Sequence, residues 1–195
     1  MLRPLLCTLL VLTGLSVAAQ TDQPFFSYLD VFELEYAQDP QISPDGSLIV
    51  YRRTGFDIMT DRSYSRLWMM KADGSEHQKL TTREVNESSP RWSPSGDRLA
   101  FVSSTEEGAE IYLYWLASGK LARLSKLPNS PANLSWSPDG TQLAFTMKVD
   151  AKPPVIAQMP PRPEGAQWAG APRITDRLKH EADGAGYIDP GFTHI

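Results

Sequence analysis

Ile42-Ser43-Pro44-Asp45-Gly46-Ser47-Leu48-Ile49-Val50-Tyr51, Trp92-Ser93-Pro94-Ser95-Gly96-Asp97-Arg98-Leu99-Ala100-Phe101 and Trp136-Ser137-Pro138-Asp139-Gly140-Thr141-Gln142-Leu143-Ala144-Phe145 are three copies of one unit, Ser-Pro-x-Gly followed by an apolar run. Their first serines stand 50 and 44 residues apart. A period of about 40 to 50 residues with strand signals inside it marks β-propeller blades. Proline presets φ at the second position, serine and aspartate accept hydrogen bonds from nearby backbone, and glycine takes a left-handed conformation, so the tetrapeptide reads as a type I turn with a glycine bulge joining two strands. Ser95 replaces aspartate in the second copy and is expected to keep its role.

The runs after each turn are apolar at successive positions, which asks for burial on both faces of the strand, as stacked blades provide. Further strands follow at Leu67-Trp68-Met69-Met70 before Asp73-Gly74 and at Ile111 to Leu116 before Ser118-Gly119, each with a second strand ending near Leu80-Thr81 or Leu124-Ser125. The fold expected is all-β, an incomplete propeller of about three four-stranded blades. The longer first period is placed in an enlarged loop around Gly55 to Ser65.

Outward from the repeat, residues 1–19 have the pattern of an export signal. Arg3 supplies the positive start, Leu5 to Val17 the apolar stretch and Val17-Ala18-Ala19 the small residues before cleavage. That stretch is too short for a membrane anchor, which needs about 20 apolar residues. The expected product is exported, periplasmic or extracellular, and free of the membrane. Cys7 is the single cysteine of the 195 residues and lies in the signal, so disulfides and cysteine catalysis are excluded from the mature chain.

Loss of Arg3 leaves 18 basic residues against 23 acidic ones, and no basic block stands out, which disfavours nucleic acid as a partner. Residues 20–41 read as an approach segment with a short helix or turn over Tyr28 to Leu34, 42–150 as blades, 151–190 as a proline-rich insertion, and 191–195 as the start of a further strand without a partner. The insertion holds seven prolines, and Trp168, Ile174, Leu178 and Tyr187 are expected to pack it over the propeller face.

Chemistry-bearing motifs are sparse. The sequence has no Gly-x-Ser-x-Gly elbow; the nearest stretch, Gly14-Leu15-Ser16-Val17-Ala18, lies in the signal. His77, His180 and His194 are isolated and fit packing or surface roles better than metal ligation. Glu106-Glu107 reads as a solvated turn beside Gly108, with capture of a peptide's free amino group as the functional alternative. Asp45, Asp97 and Asp139 read as turn residues rather than calcium ligands. No phosphate-binding loop occurs, so no catalytic residue, metal or cofactor is assigned and the substrate-binding residues stay open.

With those residues laid out, the chain resembles the amino-terminal propeller region of exported serine peptidases of the prolyl oligopeptidase family, in the acylaminoacyl peptidase and dipeptidyl aminopeptidase branch. The resemblance is carried by Asp30-Val31-Phe32-Glu33-Leu34 leading to Asp39-Pro40-Gln41-Ile42-Ser43-Pro44-Asp45-Gly46, by both Trp-Ser-Pro-x-Gly copies, and by Pro161-Arg162-Pro163-Glu164-Gly165-Ala166 through Arg173-Ile174-Thr175-Asp176-Arg177-Leu178. It implies a propeller that gates short peptides into a carboxy-terminal α/β-hydrolase domain bearing the Ser, Asp and His of a triad. That domain is absent from the sequence, so the fragment is expected to be inactive, and to self-associate through unpaired blade edges. The second reading is a non-enzymatic periplasmic binding propeller of the Tol-system type, which places an additional domain before its blades.

Overall fold

The computed structural model describes residues 25–152, 155, 160–170, 173–184 and 186–195; the signal at 1–19, its Cys7, and Pro153, Pro154 and Pro172 of the insertion lie outside them. Among the described residues one 3-10 turn, Asp30–Glu33, precedes the strands. The first blade is β1 (Tyr36–Ile42), β2 (Leu48–Asp57), β3 (Arg62–Lys71) and β4 (Gln78–Lys79). The second is β5 (Glu87–Trp92), β6 (Arg98–Thr105), β7 (Gly108–Trp115) and β8 (Lys120–Arg123). Both are antiparallel sheets with strands in sequence order. The third sheet contains β9 (Pro131–Trp136), β10 (Leu143–Asp150) and β13 (Gly191–His194), with the two-residue strands β11 (Glu181–Ala182) and β12 (Gly186–Tyr187) forming a separate hairpin inside the insertion.

Several expectations change in detail. Blade one starts at Tyr36, inside the expected approach segment, because the residues before the first turn pair with β2. The longer period is not a loop: β2 and β3 pair without interruption from Leu48↔Lys71 to Asp57↔Arg62, so the added residues lengthen a hairpin. The run at 191–195 does have a partner, since Phe192 pairs with Val149 and His194 with Met147. The insertion therefore connects the second and third strands of blade three, the place a tight hairpin fills in blades one and two. Trp168, Leu178 and Tyr187 do not pack it down, because all three are exposed.

The turns form as expected. The amide of Gly46 donates to the Ser43 carbonyl and the amide of Ser43 to the Leu48 carbonyl, with the same pattern at Gly96 and Gly140. In copies one and three the aspartate at the third position accepts from the first serine and from the residue after glycine. Ser95 cannot supply a carboxylate, and Asp97 replaces it, accepting from Ser93 Oγ at 2.8 Å and Ser95 Oγ at 2.6 Å. The turn chemistry is conserved by moving the acid two residues along.

The same residues also join the blades. Trp92 Nε1–H donates to the Gln41 carbonyl of blade one at 3.1 Å, and Trp136 Nε1–H donates to the Arg91 carbonyl of blade two at 3.0 Å. A Cβ on Gly96 would stand 3.3 Å from Pro44 Cδ, and one on Gly140 would stand 3.4 Å from Pro94 Cδ. Each glycine thus combines a left-handed φ, 71° and 67°, with close approach to the proline of the preceding turn. Four residues before each turn serine, Asp39, Ser89 and Asn133 hold positive φ at a bulge in the first strand of their blade.

The apolar run after the turn is buried on both faces only in the middle blade. Leu99 and Phe101 of β6 pack with Val50, Leu67 and Leu80 of blade one, while the alternate residues Ala100 and Val102 pack with Ile111 and Leu134 towards blade three. Each of the larger apolar side chains contributes about 1.5 to 3 kcal/mol when fully buried. In β2 only Val50 of the corresponding run is fully buried and in β10 none of it is, because each strand has one described blade beside it.

Candidate functional site

In an antiparallel meander, alternate connections fall at opposite ends of the sheet. The Ser-Pro-x-Gly turns therefore share one end, and the β2–β3 and β6–β7 hairpin tips, the links between blades and the insertion share the other. Two adjoining open clefts, each of about 710 Å³, lie at the hairpin-tip end and share Arg66, Glu84 and Asn86.

In the first cleft Arg53, Arg66 and Lys79 are paired with acids of its own wall. Arg53 pairs with Glu35 and lies 4.7 Å over the Trp68 ring, and Tyr64 Oη donates to Glu35 Oε1 at 3.1 Å. Arg53 holds the Glu35 carboxyl below its usual range, and burial, then Glu35, pushes the Tyr64 phenol up. Gly55, directly opposite Tyr64, leaves room for that ring: a Cβ there would stand 2.5 Å from Tyr64 Oη. Glu84 accepts from Lys79 at 2.9 Å and from Arg66 at 3.2 Å, and both cations lower its pKa, Lys79 the more.

The second cleft is built on the link between β4 and β5. Arg83 Nη1 donates to Ser103 Oγ at 3.0 Å, Nη2 to Tyr112 Oη at 3.4 Å, and the guanidinium lies 4.4 Å over the Tyr112 ring. Beneath it Glu87, almost fully buried, accepts from Thr81 Oγ1 at 2.6 Å and from the Leu67 amide at 3.4 Å. Burial raises the Glu87 pKa, against those hydrogen bonds and the charges of Arg83 and Arg66. Glu110, also buried, ties down the next link by accepting from Ser125 Oγ at 2.6 Å and the Leu127 amide at 3.1 Å.

Glu106 and Glu107 form the exposed β6–β7 tip on the wall of the second cleft. Glu107 faces Lys126 at 3.5 Å and Arg123 at 3.9 Å, so the two acids do not act as a free pair. Asp45, Asp97 and Asp139 lie at the opposite end with their carboxylates engaged by their own turns, and the Ser43 hydroxyl foremost holds Asp45 down to about 2. His77 sits against Tyr51 Oη at 2.7 Å and 4.8 Å from the Trp68 ring, His180 lies beside the Leu178 carbonyl, and His194 is on β13. Among the described residues no three His, Cys, Asp or Glu converge on one point. Sequence reading missed Arg83, Glu87 and Glu110; the one signal for the acids was a lone glutamate beside each link.

Comparison with known proteins agrees with this architecture. The family described as PD40, TolB beta propeller domain, matches residues 56–157. The uncharacterized peptidase YuxL of Bacillus subtilis is 27% identical over 167 residues, 85% of this chain and 25% of YuxL. The Tol-Pal system protein TolB of Alcanivorax borkumensis is 37% identical over 82 residues, 40% of this chain and 19% of that protein. This chain thus spans about a quarter or less of these relatives. Acylaminoacyl peptidase of Pyrococcus horikoshii has the same fold over 84% of this chain and 23% of its own, with a TM-score of 0.60 and 19% identity. Over half its length matched, and with blades, turns and order to suit, the chain belongs to the TolB β-propeller domain (PD40) family.

Proposed function

We propose that this chain is the propeller portion of an exported serine peptidase acting on peptides, and that it limits access to a catalytic domain lying outside these residues. The observation that carries this reading is extent. The likeness to YuxL runs over 167 residues, beyond the 56–157 that the propeller family covers, whereas the likeness to TolB stops at 82. Proteins that share only blades need not align outside them.

Within this reading the hairpin-tip end, with its two clefts and the insertion, is the end that meets peptide. The sequence holds no nucleophile elbow, so chemistry belongs to the rest of the protein. Residues 1–19 direct export and are removed after Ala19. The 195-residue chain alone self-associates through the open faces of its first and third blades. A Tol-type binding propeller is the second reading, favoured by the higher identity, 37%, over the shorter span.

The test uses the product of the complete reading frame, treated with a fluorophosphonate probe and with chromogenic peptides. Serine labelling and peptide cleavage that the probe abolishes are expected, together with a mature amino terminus at Gln20. An unlabelled protein that leaves every peptide intact overturns the peptidase reading.

A further inference from the structure

We propose that Arg83 makes the second cleft a binding site for a carboxylate. The cleft carries three arginines, Arg66, Arg83 and Arg123, and three glutamates, Glu84, Glu106 and Glu107. Arg66 is paired with Glu84 at 3.2 Å and Arg123 with Glu107 at 3.9 Å. Arg83 has no ion-pair partner among the described residues, although it is held in place by two hydrogen bonds and an aromatic ring. Its Nη1 is tied to Ser103 Oγ, which is itself fully buried, and its plane is laid on Tyr112.

The nearby carboxylate does not satisfy it. Glu87 is sealed beneath the link with one oxygen on Thr81 and the other on the Leu67 amide, and makes no ion pair with Arg83. A guanidinium has five N–H donors in a planar fork. Two are used here, by Ser103 and Tyr112, and the rest remain for a ligand. Stacking on an aromatic face removes the rotamer freedom that a bidentate contact would otherwise cost and leaves the edge of the fork available.

The fork selects a carboxylate. With Arg66 and Arg123 already paired, Arg83 offers a single planar guanidinium, which suits the two oxygens of one carboxylate. The carboxylate can end a peptide or belong to an Asp or Glu side chain. The inference is independent of whether the protein is a peptidase or a binding propeller, since it concerns only what the cleft holds.

Calorimetric titration of the intact protein tests it with three probes: acetyl-Ala-Ala-Ala as the free acid, the same peptide as its C-terminal amide, and acetyl-Ala-Glu-Ala amide. The free acid is expected to bind about tenfold or more tightly than its amide, as for a charged hydrogen-bonded pair. Arg83→Gln removes that preference, and Lys120→Gln, which removes a cation on β8 outside the cleft, keeps it. If the glutamyl amide binds as well as the free acid, the site takes either carboxylate; if only the glutamyl amide binds better than the plain amide, it takes side chains; if only the free acid does, it takes chain ends. Equal affinity for all three probes on the unaltered protein, or no binding of any at millimolar concentration, overturns the proposal without requiring any variant to fold.

Discussion

Phe101 and Phe145 occupy the same place in successive copies of the repeat, yet Phe101 is fully buried and Phe145 only partly so. β6 has a blade on either side; β10 has blade two on one side and no described blade on the other. The apolar run therefore encodes an interface rather than a self-sufficient blade. Stability in such an array resides in the junctions between neighbours.

The comparison gives a ranked set of substitutions. Phe101→Ala should cost about 3 to 5 kcal/mol in chemical denaturation, the usual range for a buried phenylalanine. Phe145→Ala should cost less than half of that; equal losses would mean that the two faces of blade three are alike. Gly96→Ala comes next, at about 1 to 2 kcal/mol for the left-handed penalty, with Pro44 allowing little relief. Trp92→Phe and Trp136→Phe keep most of the packing and lose one indole hydrogen bond each, about 1 kcal/mol. A thermal shift for either that is indistinguishable from zero would remove the tryptophan from the junction.

The smallest effects are titrations, and they run in opposite directions at the two ends of the molecule. Asp45 is held to about 2 from 3.8, foremost by the Ser43 hydroxyl, so its contribution is present above pH 3.8 and is lost as pH falls through about 2. Asp45→Asn should flatten the melting temperature across that window. Glu87 is raised by burial, so its contribution is present below its ordinary 4.5 and is lost as pH rises through the elevated value. Glu87→Gln should accordingly gain stability relative to the parent above that value, and a loss growing with pH would show that its charge is an asset.

Much of this architecture is legible in residues alone. Ser43, Pro44 and Gly46 act within six positions, and local chemistry of that kind survives in any context. The role of Trp92 and Trp136 was not legible, because their partners lie 51 and 45 residues back and no spacing rule names a carbonyl on another blade. The partner of Phe192 was hidden for a related reason: 40 residues of insertion separate it from Val149 and Asp150, and period alone cannot bridge them. The clefts were legible only at Glu106 and Glu107. Arg83 acquires its setting from Ser103 and Tyr112, 20 and 29 residues away, and nothing in its own sequence neighbourhood marks it.

Hydrogen exchange of backbone amides, followed by mass spectrometry over peptides spanning 98–105 and 143–150, tests the central claim that neighbours on both sides make the middle blade the stable element of the stack. The 98–105 amides should exchange slowest in the chain and those of 143–150 markedly faster, because opening β10 disturbs one junction and opening β6 disturbs two. Equal protection of the two strands would contradict it.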